Sequence, residues 1–330
     1  MSKKILILTA LSLEFTAVKA HLNNLKREVH PTTNSEYGRA NYNGFDILIG
    51  ETGAGNTRSA DETGRAIDYF KPDYVFFVGV AGGIKDVKLG DVVASTKVIG
   101  FEMGKDDIEF KGRPDTIPSS YALEQLAKHI SREAKWIELN VLGNEQSPAS
   151  FVGPIAAGEK VMASNRSIAF QYLRQNCSDA LAVDMEGNGF LVAARPYKAE
   201  AIEIRGISDL IEGKEEADAS GSQPIAAANA SAFCFAMINS MKTEDITTDI
   251  STIEGRKQLV NILVQLYPQG PEDNDIWKRS GGDVSLLINS NNRRSQWYGL
   301  IEKLAQGGGG NITLYKLLVE VKADFPDFKF

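Results

Sequence analysis

Short runs of β-branched and aromatic residues alternate with stretches of helical spacing over most of this chain. Lys4–Leu8 reads as a buried strand, and Leu11–Leu25 as a helix with apolar residues three and four apart. Asn43-Gly44 predicts a hairpin turn that returns through Phe45–Ile49. Asn56–Phe70 is helical in pattern and is stopped by Lys71-Pro72-Asp73, while Tyr74–Val80 is a continuous apolar run of the kind covered on both faces. Strands beginning at Asp91–Ala94, Trp136–Val141, Phe151–Ala157 and Ala199–Ile204 then interleave with helices over Tyr121–Glu133, Asn165–Gln175, Glu186–Ala194 and Pro224–Ser240. Such alternation predicts one α/β domain, residues 1–241, around a largely parallel or mixed sheet.

The pattern then changes. Residues 242–252 are rich in Thr and Asp, bury little and read as a linker. Beyond them, Arg256–Tyr267, Asp275–Arg279, Ser285–Ile288, Arg294–Ala305 and Ile312–Phe325 are helical, with Gly307–Gly310 as a flexible break. Residues 253–330 suffice for a small helical bundle.

Composition narrows the function classes. A net charge of -7 and the lack of a basic stripe with interleaved aromatics argue against nucleic acid as a partner. Three histidines, none at ligand spacing, argue against a zinc site, and the two cysteines fit buried free thiols. The first residues run straight into a strand, and no apolar run approaches a membrane span, so a cytoplasmic protein is expected.

Three acids carry the chemistry. Glu14, Glu186 and Asp209 each follow an apolar strand pattern and would converge at one sheet edge, where open α/β folds bind ligands. A proton donor, a base and a carboxylate for hydroxyl groups suit cleavage of a bond to a sugar. Gly53-Ala54-Gly55, ending a strand and opening a helix, offers backbone amides to an anion or to sugar oxygens, although it is neither a P-loop nor a dinucleotide fingerprint.

Five motifs, in order, resemble the purine nucleoside phosphorylase and uridine phosphorylase superfamily. They are Leu8-Thr9-Ala10-Leu11-Ser12-Leu13-Glu14, Gly53-Ala54-Gly55, Val78-Gly79-Val80-Ala81-Gly82-Gly83 with Leu89-Gly90-Asp91-Val92-Val93, Val183-Asp184-Met185-Glu186-Gly187, and Arg205-Gly206-Ile207-Ser208-Asp209. Within that superfamily the segment is most similar to the methylthioadenosine/S-adenosylhomocysteine nucleosidases. The resemblance implies a three-layer fold with a central mixed sheet, no metal and no organic cofactor. It implies that Asp209 protonates the leaving purine, that Glu14 activates the attacking water, and that Glu186 holds the ribose hydroxyls beside Met185. Ala10, Val80, Ala81, Gly82, Val161, Met162 and Ser208 are the implied walls. Phosphorylases of the superfamily carry an arginine and a serine for phosphate where this chain has Phe77 and Val80, so hydrolysis is expected over phosphorolysis. Val161 stands where the nucleosidases place an aromatic ring against the base, which weakens stacking. Lys160 and Arg58, with Lys105, are candidate contacts for a phosphate on the 5′ side, which leaves nucleoside and nucleotide substrates both open. A non-catalytic nucleotide sensor and a phosphate-dependent phosphorylase are the rival readings.

The tail resembles the effector-associated domain, type 1, of bacterial conflict systems, on Leu259-Val260-Asn261-Ile262-Leu263, Asn292-Arg293-Arg294-Ser295-Gln296-Trp297-Tyr298 and Phe325-Pro326. That resemblance implies a death-domain-like bundle that recruits a protein partner in antiviral defence. Trp297 is expected in its core, with Arg293 and Arg294 at an interface or in solvent. Family members are commonly dimers or larger, so a homo-oligomer is expected.

Overall fold

The structure, a computed structural model, describes residues 3–105, 107–108, 110–142, 147–211, 221–241, 250–287 and 292–325. The chain divides into two compact units, Met1–Met241 and Lys242–Phe330. Residues 242–249 of the expected linker lie outside the described residues.

In chain order the first unit runs β1 (Lys4–Thr9), α1 (Ser12–Lys19), β2 (Lys26–Val29), β3 (Glu36–Tyr42), β4 (Phe45–Glu51), α2 (Asn56–Phe70), β5 (Tyr74–Gly83) and β6 (Val92–Gly100). It continues with the two-residue strands β7 (Gly104–Lys105) and β8 (Lys111–Gly112), then β9 (Asp115–Pro118), α3 (Tyr121–Glu133), β10 (Ser150–Ala157), α4 (Ile168–Asn176), β11 (Ala182–Asp184), α5 (Gly187–Ala194), β12 (Glu200–Asp209) and α6 (Ser222–Ser240).

Among the described residues the main sheet has 10 strands in the order β11-β10-β6-β12-β5-β1-β4-β3-β2, with β9 on β6. β1 lies parallel between β4 and β5, which explains why its sequence shows no polar face. β11 also pairs antiparallel with the end of β5, so β5, β12, β6, β10 and β11 close into a ring. The sheet is mixed, since β12 is parallel to β5 and antiparallel to β6.

Strand alternation sorts the core into two layers. Ile5, Ile7, Phe76, Val78, Ile202 and Ile204 face Val18 of α1, Leu123 of α3 and Phe233 of α6. Leu6, Leu8, Val75 and Phe77 face Ala66 and Phe70 of α2 and Phe190 of α5. With the sheet between them these make three layers. α6 is Ala-rich and lies so close to β12 that a Cβ at Gly206 would overlap the Ala226 carbonyl.

β12 contains a one-residue bulge. Ile207 opposes Ala81 and Asp209 opposes Gly82, leaving Ser208 as the extra residue. A slip of one position exchanges the two faces of a strand, so Asp209 leaves the alternation that Glu203 and Arg205 follow and joins the face of Gly206.

Three sequence expectations change here. Trp136–Val141 is not a strand: Lys135–Leu139 is a 3-10 turn, entered through a left-handed Ala134 at φ 54. Trp136 is buried edge-on to Phe233 and its indole donates to Ser150 Oγ at 3.1 Å. The helix expected over Leu11–Leu25 stops at Lys19, and the charged Lys26–Val29 becomes an edge strand on β3. Asp209 ends β12 rather than following it.

The second unit has α7 (Ile253–Leu266), α8 (Ile276–Arg279), α9 (Arg293–Ala305) and α10 (Leu314–Asp324). Three helices start on side-chain caps: Thr252 accepts from Gly255, Asn292 from Ser295 and Thr313 from Lys316. The core joins Leu259, Leu263, Trp277, Trp297, Ile301 and Leu317. In place of the helix expected over Ser285–Ile288 there is a 3-10 turn at Val284–Leu286, and Ile288 lies outside the described residues. Gly307–Gly310 is no loose break. Gly309 accepts from Asp283 at 2.7 Å, and Gly282 bridges to Gly310.

Candidate active site

At the ends of β1, β5, β11 and β12 a cavity of about 270 Å³ opens. Glu14, Glu186 and Asp209 all line it. Ala10, Val80, Ala81, Gly82 and Ser208 line it as well, with Lys160, Val161 and Met162 from the chain that follows β10 and Met185 from the end of β11. Arg58 does not. It stays exposed on α2, outside the lining.

Glu14 occupies the first turn of α1, and Oε2 reaches back to the amides of Ala10 at 2.8 Å and Leu11 at 2.9 Å. It thereby caps its own helix. Oε1 takes the Val80 amide from β5 at 2.8 Å, so three backbone donors fix the carboxylate at the cavity wall. Burial pushes its proton affinity up, with Arg205 and the three amides opposing.

Glu186 precedes α5. Oε1 accepts the Gly55 amide at 2.9 Å and Oε2 accepts from Arg205 Nη2 at 3.3 Å. The Gly53-Ala54-Gly55 turn therefore spends an amide on a side chain of the protein itself. Burial, aided by Asp184 and Glu14 and opposed by Arg205 and the Gly55 amide, raises Glu186 to about 7.

Asp209 is buried where β12 ends. It accepts the Ser208 hydroxyl at 3.1 Å and the Ile211 amide at 3.1 Å. Ile211, a β-branched residue, sits at φ 71 as the chain leaves the acid, a strained conformation held at the cavity edge.

Beneath these acids lies Arg205, 0 % exposed, with its guanidinium 4.7 Å over the Phe77 ring. Nε donates to Glu203 Oε1 at 2.7 Å, Nη2 donates to Asp184 and Glu186, and Nη1 stands 4.0 Å from Glu14. Burial alone would lower its proton affinity, but Asp184, Glu203, Glu186 and Glu14 together hold it above its usual range. A Cβ at Gly79 would overlap Nη1 and approach Glu14 Oε1 to 2.5 Å, so only glycine leaves the floor room for this pair. Glu203 escaped the sequence reading. Its signal was a second charge two positions before Arg205 in an otherwise apolar strand, and hence on the same face.

Two of the basic candidates are paired with acidic side chains. Lys160 Nζ donates to Glu102 at 3.0 Å, and Lys105 Nζ to Asp107 at 3.2 Å. Val161, 59 % exposed, offers the cavity an aliphatic wall where the nucleosidase pattern places a ring.

Residues 4–239 match the phosphorylase superfamily. The chain belongs to that superfamily. Its relatives there include the 5′-methylthioadenosine/S-adenosylhomocysteine nucleosidases of Bacillus velezensis, 28% identical over 64% of this chain and 87% of the relative, and of Maridesulfovibrio salexigens, 27% identical over 63% and 86%. Among solved structures, the nucleosidase of Colwellia psychrerythraea in complex with adenine superposes with a TM-score of 0.63 at 25% identity, covering 74% of this chain and 97% of that one. Futalosine hydrolase of Helicobacter pylori superposes with a TM-score of 0.62 at 22% identity, over 73% and 99%, a likeness of fold. The larger unit is thus a nucleosidase-like α/β fold, and residues 251–329 match effector-associated domain 1. Among the described residues no helix is long and apolar enough to cross a membrane.

Proposed function

We propose that the larger unit hydrolyses the N-glycosidic bond of a purine nucleoside, with adenine as the preferred base. The observation that carries this reading is one cavity that holds Glu14, Glu186 and Asp209 on its wall and apolar residues between them. The ribose hydroxyls bind Glu186. Water attacks the anomeric carbon and gives a proton to Glu14, the bond to nitrogen breaks, and Asp209 delivers a proton to the purine ring. The secluded floor lets Glu14 act as a base in a setting of low polarity, where its orientation is fixed by three amides before substrate arrives. Water is preferred to phosphate because Phe77 and Val80 offer a dianion no hydrogen-bonding side chain. Lys160 is tied to Glu102 and Arg58 lies outside the lining, so a neutral 5′ group, a hydroxyl or a thioether, suits the cavity better than a phosphate.

The match to effector-associated domain 1 supports a second element of the proposal: the helical unit, residues 253–330 joined through a linker at 242–252, recruits a protein partner in a bacterial defence system. The protein acts in the cytoplasm, as read from its sequence, and as a homo-oligomer, as the nucleosidase resemblance implies.

The test is release of free base from adenosine, methylthioadenosine, AMP and ATP, followed by chromatography. Asp209→Asn should lower turnover by about 10²–10⁴-fold while substrate still binds. Binding without release in the wild-type protein would make it a sensor, and strict dependence on inorganic phosphate would make it a phosphorylase.

A further inference from the structure

Below the cavity one cation meets four acids. Were Glu14, Asp184, Glu186 and Glu203 all ionised around Arg205, a dry interior would hold a large excess of negative charge, which buried sites relieve by keeping protons. Two oxygens of the cluster, Asp184 Oδ1 and Glu203 Oε2, are buried with no donor among the described residues. Both carboxyl groups hold the same guanidinium, Glu203 at Nε and Asp184 at Nη2, which brings two orphaned acceptors side by side, and one hydrogen between them would satisfy both.

The donors decide which group carries it. Asp184 Oδ2 accepts the amides of Glu186 at 3.2 Å and Gly187 at 2.9 Å, and Arg205 Nη2 besides. Three donors favour the charged form. Glu203, 0 % exposed, receives only Arg205 Nε among the described residues, on Oε1. We propose that Glu203 is a positioning residue kept as the neutral acid, its hydrogen lying between Glu203 Oε2 and Asp184 Oδ1 and locking Arg205 in place under Glu14 and Glu186. Burial also pushes the proton affinity of Glu203 well above the ordinary range, with Asp184 adding to the rise and Arg205 opposing it. Room for this brace is reserved in the backbone, because a Cβ at Gly187 would overlap Glu203 Oε2. The guanidinium is then gripped along one edge by Glu203 and Asp184, and the edge left over is presented to the two carboxylates on the cavity wall.

Its kinetic consequence rests on the hydrolysis proposed above, but the proton itself does not, and the experiment separates them. An infrared difference spectrum between wild type and Glu203→Gln, recorded well above pH 7 where Glu186 has lost its proton, should show the carbonyl stretch of a protonated carboxyl that the variant lacks. No such band overturns the proposal, whatever the enzyme does. In turnover, Glu203→Leu should lose about 100-fold in kcat with KM little changed, since the guanidinium is released from its position. Glu203→Gln should recover most of that loss, because its amide donates to Asp184 and its carbonyl accepts from Arg205 Nε. The acidic limb of kcat/KM in Glu203→Gln should stay at its wild-type position. A fall of about one pH unit or more would mean that the substitution removed a charge, and would overturn the assignment. Should Glu203→Leu fail to fold, the infrared band and the limb in Glu203→Gln still decide it. Should wild type release no base at all, the hydrolase reading fails and the band alone rules on the proton.

Discussion

Glu186→Gln is expected to lose turnover and gain stability at alkaline pH. Burial, with help from Asp184 and Glu14, raises Glu186 to about 7 in the folded protein, against an ordinary 4.5. The folded state therefore binds this proton more tightly than the unfolded chain. The stabilisation it brings is complete below 4.5 and disappears as pH rises through 7, a difference of about 3 kcal/mol. Glutamine is neutral throughout and escapes that loss. It also forfeits one of two bonds, to the Gly55 amide or to Arg205, because an amide nitrogen cannot accept. That forfeit costs about 1–2 kcal/mol. The balance leaves the variant more stable than wild type by about 1–2 kcal/mol near pH 8.5, and less stable near pH 5. Urea unfolding followed by circular dichroism across that range measures both. Turnover should fall at least about 100-fold, since the ribose loses a charged acceptor. If the variant is less stable than wild type near pH 8.5, or if the difference between the two does not change with pH, the raised proton affinity of Glu186 is wrong.

Gly79→Ala should place its methyl against Arg205 Nη1 and Glu14, lowering kcat by about 100-fold with the circular dichroism spectrum intact; a wild-type rate would show that this floor does not matter. Trp297→Ala should cost the helical unit about 3–5 kcal/mol, visible as a lowered transition of that unit in calorimetry, since the ring is 0 % exposed in its core; an unmoved transition would refute the packing. Val161→Phe should restore a stacking surface and tighten adenine binding by about three- to tenfold in titration calorimetry; unchanged affinity would mean that the base does not reach this wall.

Much of this was legible in the sequence, for identifiable reasons. Tyr74–Val80 is apolar throughout because both its faces are covered, and Asn43-Gly44 reads as a turn because both residues take positive φ, 49 and 82. Glu14, Glu186 and Asp209 were recognisable because each sits in a motif at a strand end. What failed depended on distant partners. Trp136–Val141 has the alternation of a strand, but the burial of Trp136 against Phe233, a contact across nearly a hundred residues, bends it into a turn. Lys26–Val29 carries no apolar signal, since an edge strand needs only a neighbour's backbone. The bond from Arg205 to Asp184 joins β12 to β11, two strands that do not pair with one another, and no local pattern announces it. Lys160 and Lys105 stand beside acidic side chains, Glu102 and Asp107, and the pairing of Lys160 with Glu102, 58 residues away, has no signature in the sequence.

The extra residue in β12 ties the position of the acid to strand pairing and not to chain length. Loss of the single codon for Ser208 would leave the acid opposite Gly82 and on the same side of the ribbon, without the hydroxyl that donates to it. Ironing out the bulge with Ser208 kept would instead carry the acid on to Gly83 and turn it to the side of Arg205. The irregular step is what holds the carboxylate at the cavity, so a deletion there is tolerable where a regularised strand is not.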